Sequence, residues 1–169
     1  MLFADDIDEE IKRSLSDLSH VLGVVPDLKN PRPEFGDTIL AQLLVTHASV
    51  QRKLEEPLKK EGRVFCEIIV VPDMLNGRGD LHGACSAFLI DMCSSLCLMV
   101  LQRGMHVSQS LNVVYHSPAS LGEKLRIINT TMTVGARAMS ARTEIWNATQ
   151  RRLVASGVHI KMQPSTPKL

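Results

Sequence analysis

The sequence shows almost no charge imbalance and has few aromatic residues. Its 169 residues carry a formal net charge of +1, and aromatic residues make up 4% of the chain. Proteins that bind nucleic acids carry a basic stripe, or basic residues interleaved with aromatic ones, and neither pattern is present. The composition therefore argues against a nucleic-acid partner.

Cysteines are also few, and they lack the spacing of a metal site. The four residues Cys66, Cys85, Cys93 and Cys97 fall within apolar strand or helix patterns. No histidine or carboxylate stands at ligand spacing beside Cys93 and Cys97. We therefore expect buried free thiols and no metal ion.

We expect no secretory signal peptide in the N-terminal residues. The first 22 residues mix acids, bases and leucines, as an amphipathic helix does. We therefore expect an intracellular, cytoplasmic protein. The C-terminal Pro167-Lys168-Leu169 is similar to the peroxisomal address Ser-Lys-Leu, so peroxisomal delivery is the alternative.

The most informative residue present is Asp91. It is the only acid or base, apart from His82, in the apolar run from Leu81 to Leu101. A carboxylate in apolar surroundings has a shifted pKa, a partner or a functional role, because burying the charge alone is costly. We interpret Asp91 as a functional residue, and a structural acid bonded to the backbone is the alternative.

Turn-forming residues stand directly before this run. The segment from Pro72 to Asp80 contains Asn76 and two glycines, which is typical of a strand-to-helix loop. A long helix is therefore predicted from about His82 to Gln102. Its first N–H groups have no intrahelical partner and carry partial positive charge, which suits a developing oxyanion. The Gly83 amide is the candidate donor.

The spacing of Gly83 and Asp91 predicts a shared site. Eight residues of α-helix span roughly 12 Å, whereas a carboxylate that activates water must lie within about 6–7 Å of the polarised carbonyl oxygen. One helix cannot supply both groups to one substrate. If both act, Asp91 faces the helix start of a second subunit across a symmetric dimer interface.

The remaining periodicity predicts an α+β fold, in which an antiparallel sheet wraps the long helix. A first helix is expected at Ile7–Leu22 and a proline-rich connector at Pro26–Pro33, while Ile39–Lys60 is ambiguous between helix and strand. Strands are predicted at Val64–Val71, Val107–Tyr115, Lys124–Val134, Ala138–Asn147 and Arg152–Met162. We divide the chain into an N-terminal helical extension with its connector (1–37), a main domain (38–163) and a tail (164–169).

The same segments carry a family resemblance. Between about Val64 and Lys161 the sequence resembles the hotdog-fold acyl-coenzyme A thioesterases of the 4-hydroxybenzoyl-CoA thioesterase superfamily, especially the PaaI-like branch and its thioesterase superfamily member 2 group. One departure is Ala84, where that family usually has a second glycine. The matching strings are Asn76-Gly77-Arg78-Gly79-Asp80-Leu81-His82-Gly83-Ala84, His106-Val107-Ser108, Asn112-Val113-Val114-Tyr115-His116-Ser117-Pro118-Ala119 and Leu121-Gly122-Glu123.

The resemblance implies a hotdog fold and hydrolysis of an acyl-CoA thioester, in lipid metabolism. By position, the Gly83 amide polarises the carbonyl, Asp91 acts as general base or nucleophile, and Ser108 orients the water. Asn76 and His82 position the nucleophile or the thiolate leaving group. No separate cofactor is implied, because coenzyme A is part of the substrate.

The resemblance also implies a coenzyme A channel and self-association. A homodimer is expected, with further pairing into a dimer of dimers. Arg137 is placed to meet a phosphate with its guanidinium fork. The channel residues are Tyr115, His116, Ser117, Pro118, Ala119, Gly135, Ala136, Arg137 and Ala138.

Each of these residues has a structural alternative. His82 also suits a helix cap or a surface position, Ser108 a cross-strand hydrogen bond, and Arg137 a solvated loop. At the level of the whole protein, the rivals are a catalytically silent acyl-CoA-binding hotdog protein and a hotdog hydratase or dehydratase of CoA-linked acyl chains.

A membrane anchor is the last alternative. The apolar run from Leu81 to Leu101 is long enough to span a bilayer, which takes roughly 20 residues. A central charge such as Asp91 costs roughly 3 kcal/mol on insertion scales, and the sequence after it is rich in strands. We therefore expect no membrane span.

Overall fold

A long antiparallel sheet wraps one central helix in the computed structural model, which describes residues 1–16, 34–102, 104 and 106–164. A single turn of 3-10 helix, Pro72–Met74, stands between the third strand and the central helix. The elements follow the order β1 (Leu2–Phe3), α1 (Glu9–Ser16), α2 (Asp37–Gln42), β2 (Leu44–Arg52), β3 (Lys60–Ile69), α3 (Gly83–Met99), β4 (Val107–Tyr115), β5 (Lys124–Val134), β6 (Ala138–Asn147) and β7 (Arg152–Met162).

The seven strands lie in the spatial order β1-β2-β3-β5-β6-β7-β4. All neighbours are antiparallel except β1 and β2, which pair in parallel with Leu2 opposite Leu44. Strand β4 lies at one end of this order and pairs with β7, with Ser108 opposite Lys161. The outer side of β4 is therefore an edge of the sheet.

Alternation of buried and exposed residues explains the strands. In β6 every second residue is buried, and the buried Thr143 is paired with Asn129 of β5. Thr143 Oγ1 donates to Asn129 Oδ1 at 2.7 Å, and Asn129 Nδ2 donates to the Val64 carbonyl oxygen at 2.9 Å. These bonds offset the unfavourable burial of two polar side chains.

Helix α3 is mostly apolar because the sheet packs against most of its surface. Leu89, Ile90 and Leu96 are at most 1% exposed. A β-carbon at Gly157 of β7 would stand 2.9 Å from Ile90 Cγ2, so glycine permits the close approach of helix and strand. Of the described helices, none is both long and apolar enough to cross a membrane.

The cysteines are buried free thiols, as predicted. Burial raises the pKa of the Cys85 thiol to about 11 and that of Cys97 to about 12. Both are consequently protonated and unreactive at neutral pH.

The prediction of one helix in an antiparallel sheet is confirmed, including the bounds of β4 to β7. The ambiguous stretch Ile39–Lys60 resolves into the end of α2, strand β2, a turn and the first residue of β3. Ile7 and Leu15 pack into the same core as α3, so the N-terminal segment adds to it. The division at residue 37 stays a prediction. Residues 17–22 of the first predicted helix, the connector (26–33) and the C-terminal tripeptide (167–169) lie outside the described residues.

Candidate active site

The loop before α3 is fixed by its own side chains. Asn76 Oδ1 accepts hydrogen bonds from the Arg78 amide at 2.8 Å and the Asp80 amide at 3.3 Å. His82 is the N-cap residue, and its Nδ1 accepts from the Ala84 amide at 2.9 Å. The capping role given above as the alternative for His82 is therefore present. Its Nε2 and the Asn76 Nδ2 remain available as donors.

The Gly83 amide is the first N–H of α3. Among the described residues, none accepts a hydrogen bond from it, because the cap is used by Ala84. Tyr115 Oη donates to the Gly83 carbonyl oxygen at 3.1 Å and so ties the end of β4 to the helix start. An unpaired amide at a helix N-terminus is a suitable donor for an oxyanion.

A cavity of about 690 Å³ opens at this helix start. It joins the loop, the first turn of α3 and the segment that follows β4. The structure thus brings together Asn76, Gly83 and the predicted run from Tyr115 to Ala119. The lining residues are Asn76, Gly77, Arg78, Asp80, Leu81, Gly83, Ser86, Tyr115, His116, Ser117, Pro118, Ala119 and Val154.

Asp91 has polar neighbours, and the interpretation of an isolated carboxylate in apolar surroundings is wrong. Its side chain is 40% exposed. Ser108 Oγ and His159 Nε2 each lie 3.4 Å from Asp91 Oδ1, and they lie 2.9 Å from each other. Strand β7 supplies the histidine. Two of the predicted site residues, Asp91 and Ser108, are therefore neighbours, and His159 joins them.

His159 is a fully buried histidine. Burial lowers its pKa to about 4, against the opposing effect of Asp91. The imidazole is therefore neutral near pH 7. Because its side chain is 0% exposed, it can position other groups but cannot touch a substrate.

Ser94 fixes the direction of the hydrogen bonds around His159. Its Oγ donates to the Asp91 carbonyl oxygen at 3.0 Å and lies 2.7 Å from His159 Nδ1. A hydroxyl has one proton, so Ser94 must accept from Nδ1–H. The neutral ring then has its lone pair on Nε2 and accepts from Ser108. The proton of Ser108 thus points to His159, and Asp91 Oδ1 is free to accept a proton from water.

Lys161 lies two residues after His159 on β7 and, like His159, is linked to the Asp91 carbonyl oxygen through a serine of α3. Its Nζ donates to Ser95 Oγ at 2.9 Å, and Ser95 Oγ donates to the same Asp91 carbonyl oxygen at 2.8 Å. Lys161 is 6% exposed, and burial lowers its pKa while the nearby Asp91 opposes that shift. Asp91 consequently lies beside a buried amine as well as a buried imidazole.

Asp91 faces a different depression from Gly83. This groove has a volume of about 500 Å³. The two residues stand eight positions apart on one continuous helix, which corresponds to roughly 12 Å. One chain therefore presents the unpaired amide and the carboxylate to separate spaces. The groove is lined by Glu34, Phe35, Ala84, Ala87, Phe88, Asp91, Met92 and Leu111.

The predicted second part of the channel lies apart from the Gly83 cavity. Gly135 and Ala138 line a depression of about 380 Å³ together with Lys53, Lys59 and Lys60. Ala136 and Arg137 are exposed in the turn between β5 and β6. Within one chain, the structure does not bring this turn to the helix start.

Sequence reasoning missed Ser94, Ser95, His159 and Lys161. A signal was available in β7, where alternate residues face the core and two of them are basic. Basic side chains on the buried face of a strand require polar partners. No group of three or more His, Cys, Asp or Glu side chains that could hold a metal ion is found in the described part of the chain.

Comparison with solved structures defines the fold class of the protein. The crystal structure of zebra fish thioesterase superfamily member 2 superimposes with a TM-score of 0.66 and 25% identity, over 92% of this chain and 95% of that one. A Streptococcus mutans protein, whose structure was determined bound to acetyl CoA, gives a TM-score of 0.57 at 22% identity, over 63% and 84% of the two chains. The fold is the hotdog fold of thioester hydrolases, as the resemblance implied.

Sequence comparison gives the family. The model of the Thioesterase superfamily matches residues 78–154, a range that contains Gly83, Asp91 and Ser108. Acyl-coenzyme A thioesterase 13 of Homo sapiens is 35% identical over 101 residues, which are 59% of this chain and 72% of that protein. The chain belongs to the thioesterase superfamily and is a thioester hydrolase.

Proposed function

We propose that this chain hydrolyses acyl-coenzyme A thioesters to a free acid and coenzyme A. The observation that carries the proposal is one helix with an unpaired Gly83 amide at its start and, two turns later, a carboxylate beside Ser108. An amide donor and a carboxylate are the two groups that attack of water on a thioester requires. The human relative is itself named an acyl-coenzyme A thioesterase.

Asp91 takes the central role in the proposed reaction. Its carboxylate accepts a proton from water while the water oxygen attacks the thioester carbonyl. The Gly83 amide donates to the resulting oxyanion. Collapse of this intermediate breaks the C–S bond and releases the thiolate, near the remaining donors of Asn76 and His82. Attack by Asp91 itself, as a nucleophile, is the variant of this scheme.

We propose that the larger cavity holds the pantetheine arm of the substrate, with arginines available for the phosphates. We assign Tyr115 to Ala119 to the pantetheine channel, since they line the cavity that contains Gly83. Arg78 in the cavity wall and Arg137 in the exposed turn offer guanidinium groups to phosphates. Beside the turn, Lys53 and Lys59 pair with Glu56, and Lys60 adds a further positive charge. The Streptococcus mutans neighbour, with its bound acetyl CoA, is consistent with a coenzyme A ligand on this fold.

The proposed site is shared between two subunits. Gly83 and Asp91 of one chain face separate spaces, so each must act with the complementary group of a partner. Strand β4 offers an edge for this pairing, with Val107, Val114 and Tyr115 exposed. Edge strands with apolar side chains are commonly covered in an assembly. We propose a homodimer as the active unit, with a dimer of dimers as its further assembly.

The rival hydratase function is less well supported by this geometry. Hydratases of this fold act on the acyl chain with a histidine and an aspartate, and Asp91 does have a histidine neighbour. However, His159 is fully buried. It can orient Ser108 but cannot exchange a proton with an acyl chain.

Thiol release from a panel of acyl-CoAs tests the proposed reaction. We expect free coenzyme A to appear with at least one acyl group, because both reacting groups are present. The panel should include enoyl-CoAs, whose loss of absorbance without thiol release would indicate hydration. Binding of every substrate without turnover would leave the catalytically silent alternative.

Mixed dimers test the shared site. We expect Asp91→Asn and Gly83→Pro, each inactive alone, to recover activity when their subunits are exchanged. Half of the randomly mixed dimers are heterodimers, and each contains one site with both groups intact. The recovered activity should therefore approach about a quarter of wild type. Absence of recovery, with subunit exchange proven by mass spectrometry, would place both groups in one chain.

A further inference from the structure

The segment of residues 34–36, just before α2, forms one wall of the Asp91 groove. Phe35 packs edge-on against Phe88 of α3, with ring centroids 5.1 Å apart and an interplanar angle of 88°. Its side chain is nevertheless 81% exposed. A large aromatic surface is thus held open beside the proposed catalytic carboxylate.

The backbone around Phe35 is firmly placed. Gly36 has φ +84°, and a β-carbon there would stand 2.1 Å from Phe88 Cζ, so only glycine lets the segment lie against this ring. The Glu34 amide donates to Asp37 Oδ2 at 2.7 Å. Ile39 of α2 anchors the following turn in the core, at 8% exposure. Phe35 therefore occupies a position set by α2 and α3.

The groove is apolar except at Asp91 and Glu34. Ala84, Ala87, Phe88 and Met92 of α3 form its floor, and Phe35 stands opposite them. In the proposed complex the thioester carbonyl lies beside Asp91, and the coenzyme A portion occupies the cavity that contains Gly83. The acyl group then lies in the Asp91 groove. The wall therefore meets the part of the substrate that differs between acyl-CoAs.

We propose that Phe35 is a specificity-determining residue that contacts the distal part of an aliphatic acyl chain of medium or long length. The inference rests on the proposed function and assigns a substrate class to that same site. An acetyl group fills only the space beside Asp91 and does not reach the wall. An octanoyl chain extends along Phe88 and buries its methylene groups against the Phe35 ring.

Substitution of Phe35 tests this assignment. In Phe35→Ala we expect the ratio of kcat/KM for octanoyl-CoA to that for acetyl-CoA to fall about 10-fold, because the octanoyl chain alone loses apolar contact. Phe35→Leu should restore most of the ratio. Leu58→Ala is the control, since Leu58 is an apolar residue that is even more exposed than Phe35, at 103%, and lies in the turn between β2 and β3.

Three results would overturn the assignment. Unchanged kcat/KM for both substrates in Phe35→Ala would show that the acyl chain does not reach this wall. An equal fall for both substrates would mean a structural role. An equal fall with dissociation of the dimer in sedimentation would show that the partner subunit covers Phe35.

The inference stays testable if the wild-type protein hydrolyses no acyl-CoA. The proposed function then fails by itself. The affinities of wild type and Phe35→Ala for octanoyl-CoA and for free coenzyme A, measured by calorimetry, decide the matter. A selective loss for octanoyl-CoA supports the assignment, and equal affinities reject it.

Discussion

Asp91→Asn is expected to fold and assemble as the wild type while kcat falls about 10²- to 10⁴-fold, the usual contribution of a general base. The amide is nearly isosteric with the carboxylate, so its carbonyl oxygen can occupy the same position, 3.4 Å from Ser108 Oγ. It cannot accept the proton of the attacking water. The measurement is steady-state thiol release with the best substrate of the panel.

The thermal midpoint and the sedimentation coefficient of this variant are the controls. Both should match the wild type because the Asp91 side chain is 40% exposed and its backbone carbonyl, which binds Ser94 and Ser95, is unchanged. Turnover within about threefold of wild type would remove Asp91 from the mechanism. The carboxylate would then be a structural acid that organises His159 and Lys161.

Gly83→Pro is expected to lower kcat about 10²- to 10³-fold, because proline removes the one amide proposed to stabilise the oxyanion. The first position of a helix tolerates proline, and the preceding residue, His82, already has the extended φ and ψ of −65° and 135° that proline requires. The substitution therefore deletes a donor with little change in the backbone.

Gly83→Ala is its matched control. A β-carbon at this position meets the Tyr115 ring at 3.4 Å, an ordinary contact, and the amide is retained. We expect Gly83→Ala to keep most of the activity. Equal losses in the alanine and proline variants would indicate crowding of the cavity rather than loss of the donor, and circular dichroism would detect any shortening of α3.

Part of the sheet could be predicted because its strands alternate. The runs that became β5 and β6 have buried and exposed residues at a period of two, and the turns before each of them contain glycine, Gly122 and Gly135. The central helix was equally clear from its long apolar run. Strand β1 could not be predicted, since two residues, Leu2 and Phe3, carry no periodicity and depend on β2 for their hydrogen bonds.

The surroundings of Asp91 depend on register, which one sequence does not reveal. His159 stands 68 positions from Asp91 and reaches it because β7 pairs with β4 and packs on α3. An apolar run around a carboxylate therefore suggested isolation where the sheet supplies a histidine and a lysine. Phe35 was missed for the same reason, since its contact with Phe88 joins two elements distant in the chain.

The single proton of Ser108 makes the site sensitive to strong acid. While His159 is neutral, Nε2 accepts that proton. Protonation of the ring turns Nε2 into a donor, so the hydroxyl must rotate and offer its hydrogen to Asp91 Oδ1. The carboxylate then accepts one more hydrogen bond and is a weaker base toward the attacking water. Because burial lowers the pKa of His159 to about 4, this reversal requires strongly acidic solution, and rotation of one hydroxyl would weaken the base while the fold stays intact.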